Sequence, residues 1–255
     1  MTMSWNDFLT EQDKAHLAAT WEKTEPFGFG DTPALLVIDD YYSVLGLERE
    51  PILDSVATWP MSCGLEGWAA IDRTVVLIAA ARAAGVPVIY VKGMDGGFQA
   101  PWGRRERTDN LAHLPAEVRA RANEIVAEIA PEPGDLVIQK TAPSAFWGTP
   151  LSFYLQYHHI DTLIVCGETT SGCVRASVVD GATHRFRMGV VGECCFDRTQ
   201  ASHFVNLYDM HQKYSDVISV SDAEEYFSAL PSGASAAAPA DETLPIDEPL
   251  VAASV

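Results

Sequence analysis

The chain has 255 residues, 47% of them hydrophobic, enough for one large domain with a sizeable core or for two small ones. Its 35 acidic residues against 17 basic ones leave a formal charge of -18 and a pI near 4.6. That surface excludes nucleic acid and anionic membranes as partners, and it obliges any anionic ligand to find its own local Arg or Lys. No apolar run reaches membrane-spanning length. The start, MTMSWNDFLTEQDK, carries neither a basic leader nor an apolar h-region, so a cytoplasmic protein is expected. The five cysteines, Cys63, Cys166, Cys173, Cys194 and Cys195, are then free thiols, each needing its own explanation.

In chain order, residues 4–22 are predicted to form an amphipathic helix that Trp5, Phe8, Leu9 and Leu17 dock on the body or on a neighbouring subunit. PALLVI (33–38), VPVIYV (86–91), DLVIQ (135–139), TLIVCG (162–167), MGVVGE (188–193) and DVISV (216–220) are mostly continuous apolar runs, which is how strands covered on both faces read. Between them, 66–85, 115–130, 149–159, 172–186 and 200–214 have apolar residues at helical spacing, and Gly85 is placed to cap the first. The alternation predicts an α/β fold: a doubly wound, mostly parallel six-stranded sheet with helices on both faces. The expected organisation is an N-terminal extension (1–27), the α/β domain (28–229) and a tail (230–255). That tail lacks Lys and Arg and is rich in Ala, Pro and Ser, which suits a mobile extension or an arm ordered by a partner subunit. The long connections 40–65 and 92–114 are expected to be functional.

Ligands of doubly wound sheets bind beyond the carboxyl ends of the strands. Asp39 follows the first strand, Lys140 the third, and Cys173 follows the fourth by a short loop and opens a helix. A thiol at a helix N-terminus faces unpaired N–H groups and the positive end of the dipole, which lowers its pKa, and a nearby ammonium lowers it further. Thiolate attacks carbonyls, the same N–H groups can hold the oxyanion, and a carboxylate can move the proton. Each residue also has an ordinary structural reading: a small buried hydrophobe, a turn cap, a solvated strand end.

The stretches ALLVID, VIQKTAPSAF and TLIVCGETTSGCVRASVVDGATHRFRMGVV, with Asp39, Lys140 and Cys173, resemble the isochorismatase-like cysteine hydrolase superfamily over residues 28 to 228. ETTSGCVRAS and DRTQASHFVNLYDMHQKYSDVIS are most similar to its N-carbamoylsarcosine and maleamate amidohydrolase branch. The resemblance implies an isochorismatase-like fold and an Asp39–Lys140–Cys173 triad. It also implies a cis peptide before Thr169 and an oxyanion hole from the N–H groups of Thr169 and Cys173. Arg198, in CFDR, matches an arginine that helps bind a substrate carboxylate, and Thr170 joins it as a candidate substrate contact. A salt bridge at a helix start is the ordinary reading of Arg198.

The chain also departs from related sequences. Metal-dependent nicotinamidases of the superfamily carry Asp-x-His and a further His after the second strand; here VIYVKGMDGGFQAPWGRRER has none before His113, so no metal and no cofactor are expected. Gly192 stands where the branch often has Arg, and the 40–65 connection is longer than in relatives. Arg104, Arg105 and Arg107 beside Trp102 are read as a solvated loop or a gate for an anion. Adjacent Cys194 and Cys195 argue against a redox pair, Cys166 belongs to a buried strand, and the histidines show no ligand spacing. The expected function is an amidohydrolase for a small linear amide or carbamoyl compound carrying a carboxylate, working through a thioester and releasing ammonia. Its expected partners are a small-molecule amide substrate and further copies of the chain in a dimer or tetramer. The rival readings are an isochorismatase-type hydrolase of a non-amide substrate, an inert ligand-binding homologue and a thiol-redox protein.

Overall fold

The computed structural model describes residues 4–21, 23, 25–94 and 111–231. The expected C-terminal tail beyond 231, and Trp102, Arg104, Arg105 and Arg107, lie outside the described residues. Six strands form one sheet: β1 (Pro33–Ile38), β2 (Val88–Gly93), β3 (Leu136–Lys140), β4 (Thr162–Glu168), β5 (Arg187–Phe196) and β6 (Asp216–Ile218). Their order is β3-β2-β1-β4-β5-β6 and every pairing is parallel. The chain winds outward from β1 to β3, returns to the centre with β4, and winds to the opposite edge. The switch point therefore lies between β1 and β4, where doubly wound sheets open a crevice.

The helices are α1 (Glu11–His16), α2 (Tyr42–Leu45), α3 (Ile52–Ser55), α4 (Gly64–Ala83), α5 (Ala116–Ala120), α6 (Leu151–Tyr157), α7 (Arg175–Thr183), α8 (Gln200–Lys213) and α9 (Val220–Ser228). Side chains alternate across a strand, and β1 is apolar on both sides because both are covered. Leu35 and Val37 pack with α4 and α9, whereas Ala34, Leu36 and Ile38 pack with α6, α7 and α8.

Three segments differ from their sequence pattern. Residues 115–130 are not one helix: α5 is short, and a 3-10 turn spans Ala127–Ile129. The N–H groups of Tyr42 and Ser43 donate to the carbonyls of Glu124 and Ala122, and that of Val126 donates to Asp40. Tertiary pairing thus takes backbone groups that a helix would have used internally. The predicted 4–22 helix is a 3-10 turn (Trp5–Phe8), then α1, then a π-turn (Leu17–Trp21). The break falls at Thr10, which caps α1 reciprocally with Asp13. Trp5 stacks on His211 at 5.4 Å and Phe8 on Phe204 at 6.1 Å, docking the segment on α8. Finally, β6 stops at Ile218, and Ser219 caps α9 through a box with Asp222, a helix that the apolar run DVISV conceals.

Two features at the crevice carry measurable consequences. Gly167 of β4 has φ +114° and pairs in register with Ile38. A Cβ there would overlap the Ile38 carbonyl oxygen and sit 2.8 Å from its carbon, so glycine lets the two central strands close up. Gly167→Ala is expected to lower unfolding stability by roughly 3 kcal/mol or more in urea titrations, with an unchanged midpoint as the contrary result.

Asp40, just past β1, is 2% exposed, and neither carboxylate oxygen has a hydrogen-bond partner among the described residues. Burial, then the charges of Glu168 and Asp39, push its carboxyl well above the ordinary range. A group whose pKa is raised by folding favours the folded state at low pH and loses that contribution as pH rises toward its folded value. The wild type should therefore lose up to ~1.4 kcal/mol per pH unit from this group above about pH 5. Asp40→Asn should flatten that slope, and an equal slope in the variant would contradict the assignment.

Candidate active site

Asp39 begins where β1 ends. Its left-handed φ of +59°, which Asp tolerates better than most residues, turns the chain out of the sheet, while its N–H still donates to Val91 on β2 at 2.8 Å. Lys140 is the last residue of β3, two strands away from β1, and its side chain spans that gap. Its Nζ lies 2.6 Å from Asp39 Oδ2 and 3.1 Å from Cys173 Sγ. Asp39 is 1% exposed and Lys140 7%, so this ion pair is shielded from water.

Cys173 sits in a π-turn (Thr170–Val174) that runs into α7 and is kinked at Gly172. The Glu168–Thr169 peptide is cis. Of the five cysteines, all unpaired, four are buried and Cys173 alone is partly exposed. The thiol is not acidified as the sequence suggested. Burial, then the Asp39 carboxylate, push it up to about 12, outweighing the Lys140 ammonium. A short, kinked turn supplies less helix dipole than a regular helix start, and desolvation penalises the thiolate more. Burial also raises Asp39 against the pull of Lys140. For Lys140, burial pulls downward, but Asp39 and Cys173 prevail and hold it above the usual lysine value. The resting site is thus one carboxylate, one ammonium and one neutral thiol in mutual contact, ready to pass a proton from sulfur to Asp39.

Several residues that the sequence reading did not single out hold this arrangement. Ser177, one turn after Cys173, donates to the Cys173 carbonyl at 2.7 Å and accepts from the Ala145 N–H at 2.9 Å, tying α7 to the loop after β3. Asp197, at the end of β5, accepts from the N–H groups of Ser171 at 2.9 Å and Arg198 at 2.8 Å. His203 Nδ1 meets Thr170 Oγ1 at 2.8 Å. Thr170, expected among the substrate contacts, is fully buried with its hydroxyl engaged there. Arg198 lies at the same edge, paired with Glu168 at 3.3 Å and donating from Nε to the Met61 carbonyl at 3.0 Å. The only legible signal for these partners was their closeness in sequence to Cys173 and Arg198. Among the described residues no group of three or more His, Cys, Asp or Glu side chains is arranged to hold a metal ion. No helix among them is long and apolar enough to cross a membrane.

Comparison with known proteins agrees with this architecture. The chain is 35% identical over 208 residues to N-carbamoylsarcosine amidase from Arthrobacter sp., covering 80% of this chain and 74% of that protein. It is 34% identical over 207 residues to maleamate amidohydrolase from Pseudomonas putida, covering 77% of this chain and 87% of the relative. The crystal structure of a cysteine hydrolase from Pseudomonas syringae pv. phaseolicola superimposes with a TM-score of 0.65 at 19% identity, over 82% of this chain and all of that one, and so shares the fold. An Isochorismatase domain profile matches residues 64–222. The chain belongs to the isochorismatase family.

Proposed function

We propose that the protein is a cysteine-dependent amidohydrolase that cleaves a small linear amide or carbamoyl compound bearing a carboxylate. The observation that carries this reading is the three-way contact of Asp39, Lys140 and the one partly exposed cysteine, Cys173. Amidase and amidohydrolase relatives support it.

The mechanism follows from the charges. A thiol near 12 gives up its proton to water at neutral pH only at a cost on the order of 7 kcal/mol. A base in contact lowers that cost by accepting the proton as sulfur attacks. Asp39 takes the proton, and the Cys173 thiolate adds to the amide carbonyl. The oxyanion is received by the N–H groups of Thr169 and Cys173. Collapse breaks the C–N bond, Asp39 returns the proton to the departing nitrogen, and ammonia leaves behind a thioester. Water, deprotonated by Asp39, then adds to the thioester, and the sulfur leaves with the proton. Lys140 stays charged throughout and stabilises whichever partner is anionic. Arg198, whose side chain at the same edge is 29% exposed, receives the substrate carboxylate.

The test is ammonia release from a panel of N-carbamoylsarcosine, maleamate and ureidoacrylate. Turnover of at least one is expected, and Cys173→Ala should lower it by about a thousandfold or more with the fold intact. Near-normal turnover by that variant would reject the mechanism. Because Asp39 must be ionised to act, kcat/KM should rise with pH through a midpoint above the ordinary carboxylate value of about 4. Asp39→Asn should cost roughly a hundred- to ten-thousandfold and remove that limb from any residual rate; a retained limb would assign it to another group.

A further inference from the structure

Arg198 does not stand free at the sheet edge. Glu168, the last residue of β4 and 5% exposed, holds its Nη2 at 3.3 Å, and the Met61 carbonyl takes its Nε at 3.0 Å. Those two donors form one edge of the guanidinium fork, the edge that would grip a carboxylate with two parallel hydrogen bonds. An incoming carboxylate therefore either uses the remaining edge or displaces Glu168. Charge decides how well it does so. Ionised Glu168 would cancel Arg198, and Asp39 and Asp197 add further negative charge around it. Neutral Glu168 leaves the arginine charge unspent while its oxygen still marks where the guanidinium sits.

We propose that Glu168 is a positioning residue that sets the affinity for carboxylate-bearing substrates: it holds Arg198 at the site, and it must carry a proton for Arg198 to take the substrate's carboxylate. This rests on the reading of Arg198 given above. The surroundings of Glu168 support it. Arg198 and Asp197 face it from the end of β5, Asp39 and Asp40 from the end of β1, Lys140 from the end of β3, and the Cys63 thiol from the start of α4. Arg198 and Lys140 favour its anion; the aspartates and, above all, burial oppose it and raise its carboxyl to about 8. Glu168 is thus neutral below that value and ionised above it. Carboxylate affinity should be present at neutral pH and fall as pH rises through about 8. The effect belongs to KM, because Glu168 exchanges no proton with the reacting atoms.

The experiment is calorimetric binding of maleate to the full-length protein between about pH 6 and 9.5, in wild type and Glu168→Gln. Wild-type Kd should weaken by about tenfold per pH unit above the titration of Glu168. Binding at high pH should take up close to one proton, read from buffers of different ionisation enthalpy. Glu168→Gln should bind with a nearly constant Kd and without proton uptake. Equal pH dependence in the variant, a flat wild-type profile, or no maleate binding at any pH would each overturn the proposal. Proton uptake by the wild type alone tests it should the variant fold poorly. The two readings fail separately: a protein that turns over no amide yet shows this proton-linked binding keeps the role of Glu168 and loses the amidohydrolase, and the reverse pattern does the opposite.

Discussion

The buried pairing of Lys140 with Asp39 is the contact on which the crevice depends. Each ion alone would cost several kcal/mol to hold away from water, and removing one partner strands the other. Two strand ends that are not neighbours in the sheet are thereby tied together across a third. The sulfur of Cys173 completes the contact from the other side of the switch point. Fold and chemistry share this interaction: the parallel winding brings the three side chains to one edge, and their attraction keeps that edge closed.

Around the pair, polar contacts fix the turn that carries Cys173 from several directions. Ser177 links it to the loop after β3, Asp197 to the end of β5, and Thr170 to α8 through His203. Gly167 lets β4 lie close enough to β1 for Cys173 to reach Asp39 and Lys140. A displacement of an ångström at a reacting centre is costly, so a turn held by several hydrogen bonds suits a nucleophile better than a free loop.

The electrostatics of the edge are dominated by acid. Asp39, Asp40, Glu168 and Asp197 lie close together and buried, and among the described residues the cations facing Glu168 are Lys140 and Arg198. Such a group can stay inside only if some members are neutral, and Asp40, with no hydrogen-bond partner for either oxygen among the described residues, is the one least able to hold charge. The acidic exterior of the chain makes the same demand on a larger scale, since any anionic ligand would have to be attracted by local cations rather than by the overall field.

Much of the fold was legible in the chain because its signals are local. Apolar runs such as PALLVI read as strands covered on both faces, and their alternation with helical patterns leads to a parallel sheet. Asp39 and Lys140 could be picked out because each directly follows such a run, and Cys173 because it follows one by a short loop and opens a helix. The sequence could not say that residues 122–126 would forgo a helix to pair with 40–43, since the competing hydrogen bonds come from a distant segment. Nor could it say that the thiol would be raised rather than lowered, or that Arg198 would be held by Glu168. Residue order determines which groups arrive at the sheet's edge; burial and contact distance decide their charge and partners, and these arise only when segments far apart in the chain pack together.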